Sequence, residues 1–372
     1  MPHKGSARPG RRVVGVSRTV VDAVAVALQR FLDQQADVLA AIDADLVVLT
    51  DHLCGYTTGG KRLRPSFCHL GWLGAGGSAD LGSVDRPSPV VVAAAALELL
   101  QASALIHDDV MDDSDTRRGR PATHVEFQRI HASAGRRGDP VRFGTASALL
   151  LGDLAQAWAD EMLRTCGLDQ QPVLAGLRCF DRMRTEVITG QYLDLLAQTA
   201  PRGSVGQAER VLRYKSARYT VTRPLELGGT LAGAGAGLLD AYRAIGDPAG
   251  EAFQLRDDLL GIFGDPALTG KPIGDDLREG KRTVLVALAY QGADRVGVHV
   301  LDRWLGAADL TAAGADDVRA VLADSGAVKG VEQMIAERTE RALARVADAP
   351  LAGEDVRESL ARLVLAAVHR TH

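Results

Sequence analysis

Twice in this chain an apolar stretch with helical spacing runs into neighbouring aspartates, and this recurrence limits the possible folds more than any other feature. The first run starts near Val90 and ends in Ala104-Leu105-Ile106-His107-Asp108-Asp109-Val110-Met111-Asp112, with Arg117 and Arg118 close behind. The second starts near Leu238 and ends in Phe253-Gln254-Leu255-Arg256-Asp257-Asp258-Leu259-Leu260-Gly261, its acidic pair 149 residues after the first. Asp108 and Asp112 stand four apart, so on a helix they share one face, one turn from each other. Like charges so placed repel by about 0.2–0.5 kcal/mol even when exposed. At the end of a buried helix the cost grows unless a cation neutralises it. Carboxylate oxygens suit a hard divalent ion, and Mg²⁺ is commonly held by one or two carboxylates together with substrate phosphates. Arginine forks match phosphate oxygens. Lys271 and Lys281, each preceded by a glycine, trail the second pair. One acidic pair is ordinary solvated surface. Two, each on an apolar helix and each followed by phosphate-type donors, are hard to explain as surface decoration.

Composition supports a helical answer. Aromatics make up 4% of the chain, so a core of Leu, Val and Ala must be built, which favours packed helices over a β-sandwich. No stretch reads as a strand. At 372 residues the chain is long for one domain, yet no linker divides it. A net charge of −4 gives no reason to expect nucleic acid. Cys54, Cys68, Cys166 and Cys179 contain no C-x-x-C pair, so free thiols in a reducing cytosol are expected rather than zinc or disulfides. Residues 1–16 read as a disordered basic tail, and no uncharged apolar run reaches the roughly 18 residues a membrane span needs. Lysine is scarce, six residues against 37 arginines, and four of the six (Lys61, Lys215, Lys271 and Lys281) fall in the segments singled out here.

One or two helices fit residues 17–54. Gly59-Gly60-Lys61-Arg62-Leu63-Arg64-Pro65 then makes a mobile turn with Pro65 suited to the first helical position. Lys61 and Arg64 would converge there with free backbone N–H groups as an anion site, the plainer alternative being a solvated basic turn. Residues 113–143 read as a loop with one short helix near 124–132; 144–163 and 173–196 read as long helices. Gln191 and Asp194 share a face of the second, as site groups or as polar residues at the core edge. Residues 205–232 continue as helix, with Lys215, Ser216 and Tyr219 clustered and a kink expected at Pro224. A glycine-punctuated loop spans 270–283, and the remainder is helical by period. Two acidic tips facing across a bundle would hold Mg²⁺ around one diphosphate and carry the charge of a departing leaving group. No G-x-S-x-G motif or clear Cys-His pairing supplies a nucleophile. Ionisation of an activated diphosphate in an apolar cavity fits best.

These motifs resemble those of the trans-isoprenyl diphosphate synthases, or polyprenyl synthetases. They are G-G-K-R-x-R-P at 59–65, D-D-x-x-D at 108–112 with R-R-G-R-P to Pro121, F-Q-x-x-D-D at 253–258, and G-K-x-x-G-D-D-x-x-x-G-K-x-T at 270–283. The resemblance implies an all-α, single-domain bundle over 17–372 with roughly ten or more helices around a central cavity, the isoprenoid synthase fold. It implies Mg²⁺-dependent head-to-tail condensation of isopentenyl diphosphate with an allylic diphosphate, about three ions per site, and a homodimer. Asp108, Asp112 and Asp257 then look like Mg²⁺ ligands, supported by Asp109 and Asp258. Lys61, Arg64 and Arg118 look like isopentenyl diphosphate contacts. Arg117, Lys215, Ser216, Gln254, Lys271 and Lys281 look like the allylic diphosphate side.

Two positions depart from the family pattern. Gln101 stands where a histidine often contacts isopentenyl diphosphate, and Gly261 stands where many members carry a third aspartate. Either could mark an impaired subunit that regulates an active synthase. Ser103 and Ala104, one turn above Asp108, are small where bulky aromatics stop growth at farnesyl length, so geranylgeranyl diphosphate is the expected product unless Phe127 or Trp158 sets the floor instead. Farnesyl and longer polyprenyl products are the alternatives. A terpene cyclase normally needs an asparagine-bearing second motif, and this chain has no asparagine. An HD-type phosphohydrolase could use His107-Asp108 but would need further histidines at ligand spacing.

Overall fold

A computed structural model describes residues 19–117, 119–200, 202–264 and 275–369. The expected basic tail, Arg118 and Lys271 lie outside the described residues. The chain is a bundle of helices in which the expected segments form, most of them a few residues longer than the sequence pattern marks.

Helix α1 (Val20–Ile42) opens with a capping box in which the Thr19 side chain accepts from the Asp22 N–H and the Asp22 side chain accepts from Thr19 N–H. After a 3₁₀ turn at Ala44–Leu46 comes α2 (Val47–Thr57). Helix α3 (Leu63–Gly74) begins two residues before Pro65, so the proline is its third residue and not its first. That position costs nothing, because the first four N–H groups of a helix lack intrahelical acceptors anyway. Arg62 precedes it with φ 49°, and its buried guanidinium donates to the Thr57 carbonyl and to Glu98 on α4. Arg62 thus ties the end of the basic turn to α2 and α4.

Helix α4 (Pro89–Met111) carries the first acidic motif. It is long and apolar enough to cross a membrane by composition alone, but here it is a core helix, with Ala93 to Leu97 fully buried. It packs on α1, α3 and α6 (Pro140–Arg164). Between α4 and α6 lie α5 (Thr123–Ser133) and a short antiparallel ladder, Thr116–Arg117 with Arg120–Pro121. The sequence reading expected no strand; a two-residue ladder is too short to leave a periodic signal.

The largest departure is at 205–232. The expected kinked helix is instead α8 (Val205–Val211), an 11-residue π-helix (Leu212–Thr222) and α9 (Arg223–Leu231). Pro224 sits in the first turn of α9, and the Arg223 N–H reaches five residues back to the Arg218 carbonyl. Widening the turn ahead of a proline relieves the clash of its ring with the carbonyl four residues earlier. The π-helix lies between α7 (Gln170–Gln198) and α10 (Ala236–Phe263), which carries the second acidic motif. Both neighbours approach at backbone distance through glycine: a Cβ on Gly190 would fall 2.3 Å from the Lys215 nitrogen, and one on Gly250 would fall 2.4 Å from the Ala217 oxygen.

A single turn, α11 (Asp275–Arg278), leads into α12 (Val284–Gly292), α13 (Arg295–Trp304), α14 (Ala312–Asp324), α15 (Ala327–Asp348) and α16 (Glu354–Val368). Most of these pack a second apolar core around Leu285, Val318 and Val331, while α16 packs with α3 and α10 in a third around Tyr242 and Leu360.

Candidate active site

Two lysines gather the first acidic tip with carboxylates of α7 and of the turn that follows the second motif. Helix α4 ends at Met111, and the Asp112 N–H still donates to the Asp108 carbonyl at 2.8 Å, so the two carboxylates keep the same-face relation. Asp108 accepts from Gln191 on α7 at 2.9 Å and lies 3.3 Å from the Lys215 ammonium, which also donates to Asp194 at 2.6 Å. Burial pulls the Lys215 pKa down, but the Asp108 and Asp194 carboxylates outweigh it and raise the net value. Lys281 stands 3.3 Å from Asp112, 3.4 Å from Asp276 on α11, and in contact with Glu279. Burial again opposes its charge, and Asp276, Glu279, Asp112 and Asp108 together lift its pKa well above normal. One ammonium thus faces carboxylates of the first motif and of the turn that follows the second.

Asp109 is completely buried. It accepts from Arg117 Nε at 2.7 Å and from the Tyr56 phenol at 3.2 Å. Burial raises its pKa against the pull of Arg117. Asp109 is therefore an anchor for Arg117, one terminal nitrogen of which touches Asp109 and also lies 3.6 Å from Asp108. On α10, Gln254 accepts from Ser216 of the π-helix and donates to Asp258 at 2.7 Å. Burial pushes Asp258 up to about 7, with Asp257 and Asp276 adding to it and Lys281 opposing. Asp257 is exposed at the tip. Burial and Asp108 push Asp112 to about 6, again with Lys281 opposing.

A second corner lies where α3 meets the π-helix. Arg64 donates to the Thr220 hydroxyl at 2.8 Å, and its guanidinium carbon lies 4.3 Å from the centre of the Tyr219 ring. Its Nε is buried without a hydrogen-bond acceptor, a donor that an anionic ligand would satisfy. The Tyr219 phenol donates to the Gln101 carbonyl oxygen at 2.9 Å, which leaves the amide nitrogen as the donor of that side chain. Lys61 is exposed just before α3. Ser103 is buried in α4 and Ala104 half-buried, while Trp158 packs edge-on against Phe31 of α1 and Phe127 against His52 of α2.

Gln191 and Asp194, left open as core-edge residues, reach into the cluster. Tyr56 and Glu279 carried no sequence signal as site groups, Tyr56 being 53 residues from the aspartate it touches, whereas Asp276 belongs to the motif at 270–283 but carries no role in the sequence reading. A groove of about 570 Å³ lined by Arg256, Glu332, Ile335 and Leu343 lies on another face of α10 and does not belong to this cluster.

The donor set fits Mg²⁺. Asp108, Asp112, Asp257 and Asp258 offer hard oxygens, and both Asp112 oxygens are buried without a hydrogen-bond donor. Among the described residues no three acidic, histidine or cysteine side chains are gathered closely enough to cage an ion unaided. That suits an ion completed by substrate phosphates.

Three comparisons bear on this arrangement. A geranylgeranyl pyrophosphate synthase of Corynebacterium glutamicum, solved with isoprenyl diphosphate and magnesium, superposes with a TM-score of 0.89 at 40% identity, covering 94% of this chain and 98% of that one. The geranylfarnesyl diphosphate synthase of Aeropyrum pernix is 30% identical over 81% of this chain and 87% of its own. The geranylgeranyl diphosphate synthase of Mycobacterium tuberculosis is 30% identical over 76% of this chain and 80% of its own. Fold and site together define an isoprenoid synthase fold and, with these relatives, a trans-prenyltransferase. The polyprenyl synthetase profile matches residues 48–322, and the chain belongs to that family.

Proposed function

We propose that this enzyme joins isopentenyl diphosphate head-to-tail to an allylic diphosphate and extends the product to geranylgeranyl length. The observation that carries the reaction is the convergence on Lys281 and Lys215 of carboxylates from α4, α7 and α11. Asp108, Asp112 and Asp257 would hold Mg²⁺, about three ions when the allylic diphosphate is bound. When bound, those ions polarise the phosphate oxygens and stabilise the charge of the leaving group. Lys215, Arg117 and Lys281 add fixed positive charge on the same side, Lys271 would contact the allylic diphosphate as the family motif implies, and Ser216 and Gln254 hold the π-helix and α10 in register. Arg64, Lys61, Arg118 and the amide nitrogen of Gln101 bind the isopentenyl diphosphate, with Tyr219 fixing the amide. Glutamine there still donates, so this departure does not by itself imply a dead subunit.

Length is a steric matter. Small Ser103 and Ala104, one turn above Asp108, would leave room for a longer chain, and Trp158 and Phe127 are engaged with Phe31 of α1 and His52 of α2. Incubation with isopentenyl diphosphate, Mg²⁺ and dimethylallyl, geranyl or farnesyl diphosphate, with products sized, tests the whole reading. Arrest at farnesyl length overturns the length assignment; no turnover by the isolated protein favours a regulatory partner of an active synthase instead.

We also infer a homodimer. Helices α6 and α7 expose Leu150 at 69%, Ile188 at 54% and Tyr192 at 62%, apolar surface that a second copy of the chain would cover. Leu150→Arg with Ile188→Arg yields a monomer by light scattering if this face is the interface. The four cysteines are unbonded, in keeping with a reducing cytosol.

A further inference from the structure

A line of polar side chains leads from α2 to Asp109. His52 and Tyr56 stand four apart on α2 and so share one face, their rings 5.6 Å apart. Thr123, fully buried at the start of α5, joins them. Its hydroxyl donates to the Tyr56 oxygen at 2.9 Å and lies 3.1 Å from His52 Nε2. The Tyr56 phenol donates in turn to Oδ2 of Asp109 at 3.2 Å. The other oxygen, Oδ1, accepts from Arg117 Nε at 2.7 Å and from the terminal nitrogen that lies 3.6 Å from Asp108.

These bonds run one way. A carboxylate paired with arginine only accepts, so Tyr56 donates to it. The Tyr56 oxygen accepts from Thr123, and the Thr123 oxygen, its own proton committed, accepts from His52, which must carry a proton on Nε2. Burial lowers the His52 pKa, with Glu126 opposing and Arg120 assisting. Burial and the Asp109 charge push Tyr56 up to about 12, so the phenol keeps the proton it donates. Arg117 meanwhile places both its contacts on Oδ1 while the phenol holds Oδ2. A guanidinium fork matches two carboxylate oxygens better than one. With Oδ2 vacated, Arg117 would shift to span both oxygens and carry its terminal nitrogen off its place beside Asp108.

We propose that His52, Thr123 and Tyr56 form a hydrogen-bond chain oriented toward Asp109, and that its last member, Tyr56, is a positioning residue for the allylic diphosphate. By occupying Oδ2 it confines Arg117 to Oδ1 and fixes where that guanidinium meets the substrate. The inference rests on the reading of Arg117 as an allylic diphosphate contact. A chain that merely fastened α2 to α5 would affect stability and both substrates alike.

The test is initial-rate kinetics of the full-length protein with geranyl diphosphate, isopentenyl diphosphate and Mg²⁺. Tyr56→Phe keeps the ring against His52 and removes only the donor. It raises the KM for geranyl diphosphate about tenfold, short of the roughly hundredfold that a displacement of about 1 Å can cost. The KM for isopentenyl diphosphate stays at the wild-type value. In an Arg117→Gln background the same substitution costs no more than about twofold, because the group it positions is gone. Thr123→Val, which takes the donor from behind the phenol, raises the geranyl KM by a smaller factor and keeps the test open if Tyr56→Phe folds poorly. Nitrogen-15 NMR of the wild-type protein finds the His52 proton on Nε2. Wild-type KM in both Tyr56→Phe and Thr123→Val, equal rises for the two substrates, or a tenfold loss that persists without Arg117 overturns the proposal, as does a neutral His52 protonated on Nδ1. No turnover by the wild-type protein would sink the functional reading itself, and this inference with it.

Discussion

Replacing Gly190 by alanine tests how the site is held together. The added methyl carbon would sit 2.3 Å from the Lys215 nitrogen and 2.6 Å from the Tyr214 carbonyl carbon, both backbone atoms that no rotamer change can move. Ordinary contact begins near 3.4 Å, so the π-helix must retreat from α7 by about 1 Å. Overpacking of this kind costs about 1–3 kcal/mol, and the better helical propensity of alanine returns up to about 1 kcal/mol. For a chain of this size the net loss lowers Tm by roughly 1–3 °C. Activity should suffer far more. Lys215 moves relative to Asp108 and Asp194, now 3.3 and 2.6 Å away, and a 1 Å misplacement of positioning groups can cost about a hundredfold in rate. Gly176→Ala is the control: on the same helix its methyl meets the Leu231 side chain at 2.6 Å, away from the acidic tips. Steady-state kinetics and calorimetry on both variants decide the matter. If Gly190→Ala keeps wild-type kcat, or Gly176→Ala loses as much, close packing of α7 on the π-helix does not set the geometry of Lys215.

Ala104→Phe should shorten the main product to farnesyl length in the chain-length assay, with the allylic KM little changed. Lys281→Met should destabilise the metal-free protein by about 3 kcal/mol, because it strands Asp112, Asp276 and Glu279. Mg²⁺ with pyrophosphate should restore its melting temperature more than it raises that of the wild type. The raised acids give the metal-free protein a pH dependence of known sign. Folded Asp258 keeps its proton to about 7, whereas the unfolded chain releases it near 3.8. Stability therefore falls as pH rises between those values and stays lower above them. Thermal melts in a chelator should show Asp258→Asn more stable than wild type at pH 8 and equal to it at pH 4, and no difference at pH 8 would count against a buried, proton-holding Asp258.

The helices that carry chemistry were legible because their signals are local. Apolar spacing runs unbroken into Asp108 and Asp257, and the glycine–proline punctuation around residues 59–65 marks a turn whatever lies next to it. What stayed hidden depends on contacts between distant segments. Gln191 and Asp194 look like any polar pair on an amphipathic helix until Asp108 and Lys215 are set opposite them. Tyr56 becomes a site residue only because α2 packs beside the buried Asp109. The π winding of 212–222 has no periodic signature, because only packing against Gly190 and Gly250 rewards it. Asp276 was visible only as part of the glycine-punctuated motif; its contact with Lys281 depends on how the turn folds back.

The wide winding between Leu212 and Thr222 has one more implication. Each turn there holds more residues than an ordinary helical turn, so the segment is shorter end to end than its residue count would suggest. Removing one residue from it would let ordinary winding return, rotating every later side chain by about 100° about the axis. Lys215, Ser216, Tyr219 and Thr220 reach their partners in α4, α7, α10 and α3 through a single phase of that spiral. Length variation during evolution should therefore gather in the flanking loops and leave this stretch at a fixed count.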